Sequence, residues 1–188
     1  MALVELLQQS LPFAIISTFL FGLLVGSFLN VVIHRLPKMM ETQWRSECMT
    51  LLETAGGEND TSDKKFNLVS PPSHCPHCQH KIGALENIPL ISFLLQGGKC
   101  RGCGAKISMR YPLVELLTGA GAAYCMFHFG FTAVAGWAIF LTFALIALSG
   151  IDIDTQLLPD DITLPFLWLG LLVNYFDVFV SLEHAVIG

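Results

Sequence analysis

The sequence predicts an all-α polytopic membrane protein, with four transmembrane helices and a small cytoplasmic zinc-knuckle domain between the first and second. Three observations predict it. Of 188 residues, 53% are apolar and only 13% are charged, about half the charged share of an ordinary soluble domain. Four apolar runs each have the length of a bilayer span. All ten Lys and Arg residues fall between Arg35 and Arg110, in the same stretch as two Cys-x2-Cys pairs.

Residues 1–36 are read as the first transmembrane helix. Leu11 to Ile33 is long enough to cross, and Met1 to Ser10 has no basic residue, so a cleaved secretory signal is not indicated. Gly22 and Gly26 form a GxxxG pair that admits a neighbouring helix closely. Asn30 lies near the cytoplasmic end and has a neighbour to hydrogen-bond as its simplest use. His34 and Arg35 mark the interface, and Pro37 is expected to end the helix.

Residues 37–66 read as a mobile cytoplasmic loop, polar around GGENDTSDKK. Residues 67–112 read as the zinc domain. Cys75-Pro-His-Cys78 and Cys100-Arg-Gly-Cys103 stand 21 residues apart, and two such pairs complete a tetrahedron of thiolates around one Zn²⁺. Such a site is closed and structural, and it folds a domain too small for a core of its own. A redox pair and a knuckle without metal are the alternatives. His74, His77 and His80 crowd the first pair but are not needed as ligands. Cys48 and Cys125 read as bystanders.

Residues 113–188 hold the remaining spans, Leu113 to Phe131, Ala133 to Ile151 and Ile162 to Val180. The basic stretch carries seven acids against its ten bases, a net charge of +3 that marks the cytoplasmic side. It suits a lipid bilayer, and it has no Arg-rich stripe or aromatic platform for nucleic acid. The loop 152–161 then also faces the cytoplasm, which makes electrostatic pairing between its acids and the basic domain an expectation.

Asp152 follows an uncharged apolar run directly, a costly place for a carboxylate unless it meets water, a partner or a substrate. It is the candidate catalytic residue. Asp154, two positions on, would project from another helix face and reads as a solvated charge. Asp160 and Asp161 are placed to cap the next helix and to complement its dipole. Glu115 is a second carboxylate by depth, or a helix-start residue. Asp177 falls at the opposite membrane face. An ion or proton carrier built on Asp152 is the weaker alternative, since no second charge marks a pathway.

Five stretches in order carry a resemblance: Gly26-Ser-Phe-Leu-Asn-Val-Val-Ile-His-Arg-Leu-Pro37, the four-cysteine array, Glu86-Asn-Ile-Pro89, Ile107-Ser-Met-Arg-Tyr-Pro-Leu-Val-Glu115 and Ile151-Asp-Ile-Asp-Thr-Gln-Leu-Leu-Pro-Asp160. Together they resemble the type IV prepilin peptidases, bifunctional leader peptidase and N-methyltransferase enzymes of bacterial inner membranes. The resemblance implies cleavage of type IV prepilins and pseudopilins after a glycine at the cytoplasmic face. It also implies S-adenosylmethionine-dependent methylation of the new N-terminal residue. It makes Asp152 the first of two catalytic aspartates, the second lying in a downstream Gly-x-Gly-Asp motif that these 188 residues do not contain. The chain is thereby read as an N-terminal half. The alternative is a non-catalytic, zinc-containing membrane scaffold for pilus or secretion assembly.

Overall fold

Residues 10–53 and 66–187 are described by the structure, a computed structural model. Among them the chain is helical, with two isolated bridges in place of strands. The helices are α1 (Leu11–Glu53), α2 (Ile91–Leu95), α3 (Arg110–Phe129), α4 (Ala133–Thr155), α5 (Asp160–Tyr175) and α6 (Leu182–Ile187). A 3-10 turn spans Ala84–Asn87. Helices α1, α3 and α4 pack on one another as a bundle.

The bundle buries several small residues at its helix contacts, beside Leu29, Ile33, Phe143 and Ile151, and turns many large apolar side chains outward. Ala14, Ala122, Ala147 and Thr118 are buried, whereas Leu20, Leu24, Phe28, Leu117 and Leu145 are exposed. Water would drive the large side chains inward. A helix interface set in lipid instead gains from close backbone approach, which small residues permit. Gly22 and Gly26 of α1 supply it: a Cβ at Gly22 would lie 2.8 Å from the Gly119 Cα, and one at Gly26 would lie 2.7 Å from the Glu115 Cα. The GxxxG pair is thus the seam between α1 and α3.

Two helices have both the length and the apolarity of a span, Leu11–Leu52 and Ala133–Thr155. Helix α3 has the length, 20 residues, but carries Glu115 and Thr118 on its buried face. Helix α5 has 16 residues rather than the 19 expected from Ile162 to Val180, a rise of about 24 Å against a hydrocarbon core of about 30 Å. It ends because the Asn174 side-chain oxygen accepts from the backbone N–H groups of Phe179 and Val180, at 3.3 and 3.2 Å. That turns the chain aside just where the apolar pattern runs on.

Pro37 does not end the first helix, contrary to expectation. Helix α1 continues through it for another sixteen residues, to Glu53. A proline inside a helix forfeits one hydrogen bond and crowds the preceding turn, but good helix formers follow it, joined by contacts four residues apart. Glu41 accepts from Arg45 at 2.6 Å and Glu47 from Gln43 at 2.9 Å. The first part of the expected loop, residues 37–53, is therefore helical. Residues 1–9 and 54–65, which take in the start of the first segment and all of GGENDTSDKK, lie outside the described residues.

Candidate active site and metal centre

The two cysteine pairs fold alike. In the first, the Cys75 N–H donates to the His80 carbonyl at 2.9 Å and the Gln79 N–H to the Cys75 carbonyl at 3.0 Å. In the second, the Cys100 N–H donates to the Ala105 carbonyl at 2.8 Å and the Gly104 N–H to the Cys100 carbonyl at 2.9 Å. Each loop closes on a bridge, His74 with Lys81 and Lys99 with Lys106. Each turns through a left-handed residue after its second cysteine, Gln79 at φ 59° and Gly104 at φ 71°. The knuckle is one motif used twice, with glycine at that position only the second time.

These loops bring the four Sγ atoms of Cys75, Cys78, Cys100 and Cys103 within 4.8 Å of one another. Cys75 to Cys103 and Cys78 to Cys100 are both 3.9 Å. Sulfurs about 2.3 Å from a tetrahedral zinc lie about 3.8 Å apart, so the donor set fits one metal ion. No histidine belongs to the cluster. The backbone N–H groups of Cys78 and His77 point at the Cys75 sulfur and pull its thiol down to about 6. At Cys78 the His80 N–H also favours the thiolate, yet desolvation and the neighbouring sulfurs push the thiol up to about 12. One thiolate forms readily and the next resists, a repulsion that a cation at the centre would relieve.

Glu86 ties the two knuckles together. Its carboxylate meets His80 Nε2 at 3.2 Å and Arg101 Nε at 3.6 Å, and accepts from the Gly83 N–H at 3.1 Å. That N–H first, then His80 and Arg101, hold the Glu86 carboxyl below the usual range.

Two buried polar side chains moor this domain to the bundle. Arg35 is buried, 8% exposed. Its guanidinium donates to the carbonyls of Asn67, Leu68 and Pro71 at 3.0, 3.4 and 2.7 Å and lies 5.8 Å from the Phe66 ring centre. Glu115, also 8% exposed, accepts from the Leu90 N–H at 2.9 Å. Asn30 does bond a neighbour, donating to the Tyr111 carbonyl at 3.1 Å. Cys48 sits exposed on α1 and Cys125 buried on α3, its sulfur 3.6 Å from the Thr142 hydroxyl.

Asp152 lies in the last turn of α4, exposed, and its carboxylate has no hydrogen bond or ion pair among the described residues. The residue before it, Ile151, is fully buried, so the helix is anchored immediately below the carboxylate. Asp154 is not a free solvated charge: its Oδ1 accepts from Arg110 at 2.6 Å. This is the pairing between acidic loop and basic stretch that the charge pattern predicts. The chain leaves α4 through Gln156 at φ 54°, whose N–H donates to the Asp152 carbonyl at 2.8 Å.

The capping role expected of Asp160 and Asp161 falls instead to position 159. Pro159 is the N-cap, with no side-chain cap bond, and both aspartates stand in the first turn of α5. There they still complement the helix dipole, and Asp160 accepts from the Thr163 hydroxyl at 3.5 Å. Glu115 is bonded to Leu90 and Asp154 to Arg110, whereas Asp160 has a 3.5 Å contact with a Thr163 hydroxyl that lies nearer the Pro159 carbonyl, at 3.2 Å. None of the three is hydrogen-bonded to Asp152.

Comparison with known proteins adds a lineage to this geometry. Residues 20–129 match the family model described as the bacterial peptidase A24 N-terminal domain. Residues 139–188 match that of the type IV leader peptidase family. The chain is 53% identical over 174 residues to the prepilin leader peptidase/N-methyltransferase of Pseudomonas aeruginosa, covering 93% of this chain and 59% of that one. It is 50% identical over 192 residues to the protein of that name from Dichelobacter nodosus, covering 100% and 65%. With the one from Neisseria gonorrhoeae it shares 47% over 180 residues, covering 94% and 61%. The chain thus spans about three fifths of the length of the curated relatives it matches. No solved structure matches. From the first helix through the acidic turn, the chain belongs to the type IV leader peptidase family.

Proposed function

We propose that this chain is the N-terminal part of a prepilin leader peptidase and N-methyltransferase, and that Asp152 is the first of its two catalytic carboxylates. One observation carries the reading: within the family's peptidase segment, a carboxylate with no partner among the described residues stands exposed at the end of an apolar helix. Its substrates are type IV prepilins and pseudopilins, cut after glycine. Asp152 and a second aspartate outside this chain would share one proton. The ionised member takes a proton from the attacking water, and the protonated one gives its proton to the leaving amine. Asp160 and Asp161, exposed in the first turn of α5, suit a basic leader segment.

We place the protein in the bacterial inner membrane with α1, α3 and α4 as full spans and α5, about 24 Å long, as a shorter fourth. The cysteine domain and Asp152 share the cytoplasmic side. The many large apolar side chains exposed around the bundle support the membrane setting, and the Arg110–Asp154 pair supports a common side. Zn²⁺ is the metal the four-sulfur geometry suits best. It would be held by Cys75, Cys78, Cys100 and Cys103 and would order the two loops. S-adenosylmethionine would supply the methyl group for the new N-terminal amine. Two open hollows, one along Glu41 to Met49 and one between α5 and α6, give it no matching set of polar partners. No residue of this chain is therefore assigned to it.

The test is Asp152→Asn in the intact membrane enzyme. Prepilin cleavage should be abolished while membrane insertion and metal content stay as they are. Retained cleavage would remove Asp152 from the mechanism.

A further inference from the structure

Arg110 reaches α4 at two points, and Asp152 lies between them in sequence. One guanidinium nitrogen donates to Asp154 Oδ1 at 2.6 Å and another to the Gly150 carbonyl at 3.1 Å. At about 100° per residue, Gly150 and Asp154 fall on the same side of the helix, and Asp152 falls on nearly the opposite side. The fork therefore grips the back of the turn that carries Asp152. Gly150 also lets the Ile33 side chain of α1 pack tightly against this turn, since a Cβ there would lie 2.5 Å from the Ile33 Cδ1. A cation here also complements the C-terminal end of the helix dipole.

We infer that Arg110 is a positioning residue for the leader-peptidase reaction: by holding Gly150 and Asp154 it fixes the rotation of the last turn of α4, and so the aim of Asp152. The inference rests on the reading of Asp152 as a catalytic carboxylate. Its contribution is geometric rather than energetic. The two side chains are 39% and 33% exposed, and pairs that exposed add little stability. A catalytic carboxylate displaced by an ångström, in contrast, can cost on the order of a hundredfold in rate. Arginine suits the task because its planar fork serves two acceptors in fixed directions, which a lysine ammonium cannot do.

The experiment uses the intact enzyme in liposomes with a prepilin substrate, comparing Arg110→Ala, Arg110→Lys, Asp154→Asn and Asp152→Asn. Arg110→Ala should lower kcat by roughly 10- to 100-fold, with KM and the unfolding midpoint nearly unchanged. Arg110→Lys should recover part of that loss, since it keeps the charge facing Asp154. Asp154→Asn should show a smaller fall in kcat, and it tests the clamp independently should Arg110→Ala fail to fold. Wild-type kcat in Arg110→Ala, or in Asp154→Asn if the first variant is not folded, overturns the inference while an inactive Asp152→Asn leaves the site reading standing. A lysine variant as fast as the wild type would also count against it, since a lysine cannot hold both acceptors. Cleavage that survives Asp152→Asn removes the site reading, and this inference with it.

Discussion

Gly26→Ala adds a single methyl group where α1 crosses α3. The new Cβ would lie 2.7 Å from the Glu115 Cα, 3.0 Å from the Thr118 Cβ and 3.1 Å from the Thr118 Oγ1. Glu115 meets it with backbone and Thr118 is fully buried, so no flexible chain end can swing away. To reach even a tight ordinary contact of 3.4 Å the helices must part by about 0.7 Å at this point. A gap of that size forfeits a quarter to a half of each neighbouring contact. Overpacking of this kind costs about 1–3 kcal/mol, and the rigid surroundings place Gly26→Ala toward the upper end.

A second consequence is local. Moving Glu115 loosens its 2.9 Å bond to the Leu90 N–H and so the mooring of the cysteine domain. Thermal unfolding in detergent should show a lowered midpoint, and hydrogen exchange at the Leu90 amide should speed up. Gly136→Ala is the control, because its Cβ would meet nothing within 4 Å. There the lost backbone freedom should stabilise by up to about 0.5–1 kcal/mol. An unchanged midpoint in Gly26→Ala, or an equal change in both variants, would refute the packing argument.

Two further predictions concern the knuckles. Cys75→Ser should lower bound zinc and raise the protease sensitivity of residues 67–109, measured by metal analysis and limited digestion; an unchanged stoichiometry would remove Cys75 from the site. Glu86 has a lowered folded-state pKa, so its stabilising effect is complete above its unfolded value of about 4.3 and drains away as pH falls toward the folded value. Glu86→Gln should therefore weaken the domain at neutral pH and flatten that acid loss, read by digestion across a pH series.

Much of the site was legible because its signals are local. The Cys-x2-Cys spacing foretells a four-sulfur cluster, and the small-residue pair in the first helix foretells a close crossing. The charge map predicts that the acidic turn meets the basic stretch, though only the fold picks Arg110 and Asp154. What escaped the sequence reading depends on partners far along the chain. The partners of Arg35, the carbonyls of Asn67, Leu68 and Pro71, lie 32 to 36 residues along the chain. Glu115 looks like a stray carboxylate until Leu90 comes to it from 25 residues away. Pro37 misled because a proline rule that holds for an isolated helix is outweighed by packing before it and side-chain pairs after it. The fourth apolar run is shorter as a helix than as a pattern, since the Asn174 side chain turns the chain before the pattern ends.

The most direct test of Asp152 as one half of a split catalytic pair is a prepilin cleavage assay in liposomes. These 188 residues would be combined with a separately expressed downstream segment, carrying Gly-x-Gly-Asp, from a full-length relative. Cleavage should appear only when both parts are present and should vanish with Asp152→Asn. Cleavage that persists when the Asp152→Asn chain is combined with that segment, or that the 188-residue chain performs alone, would contradict the account.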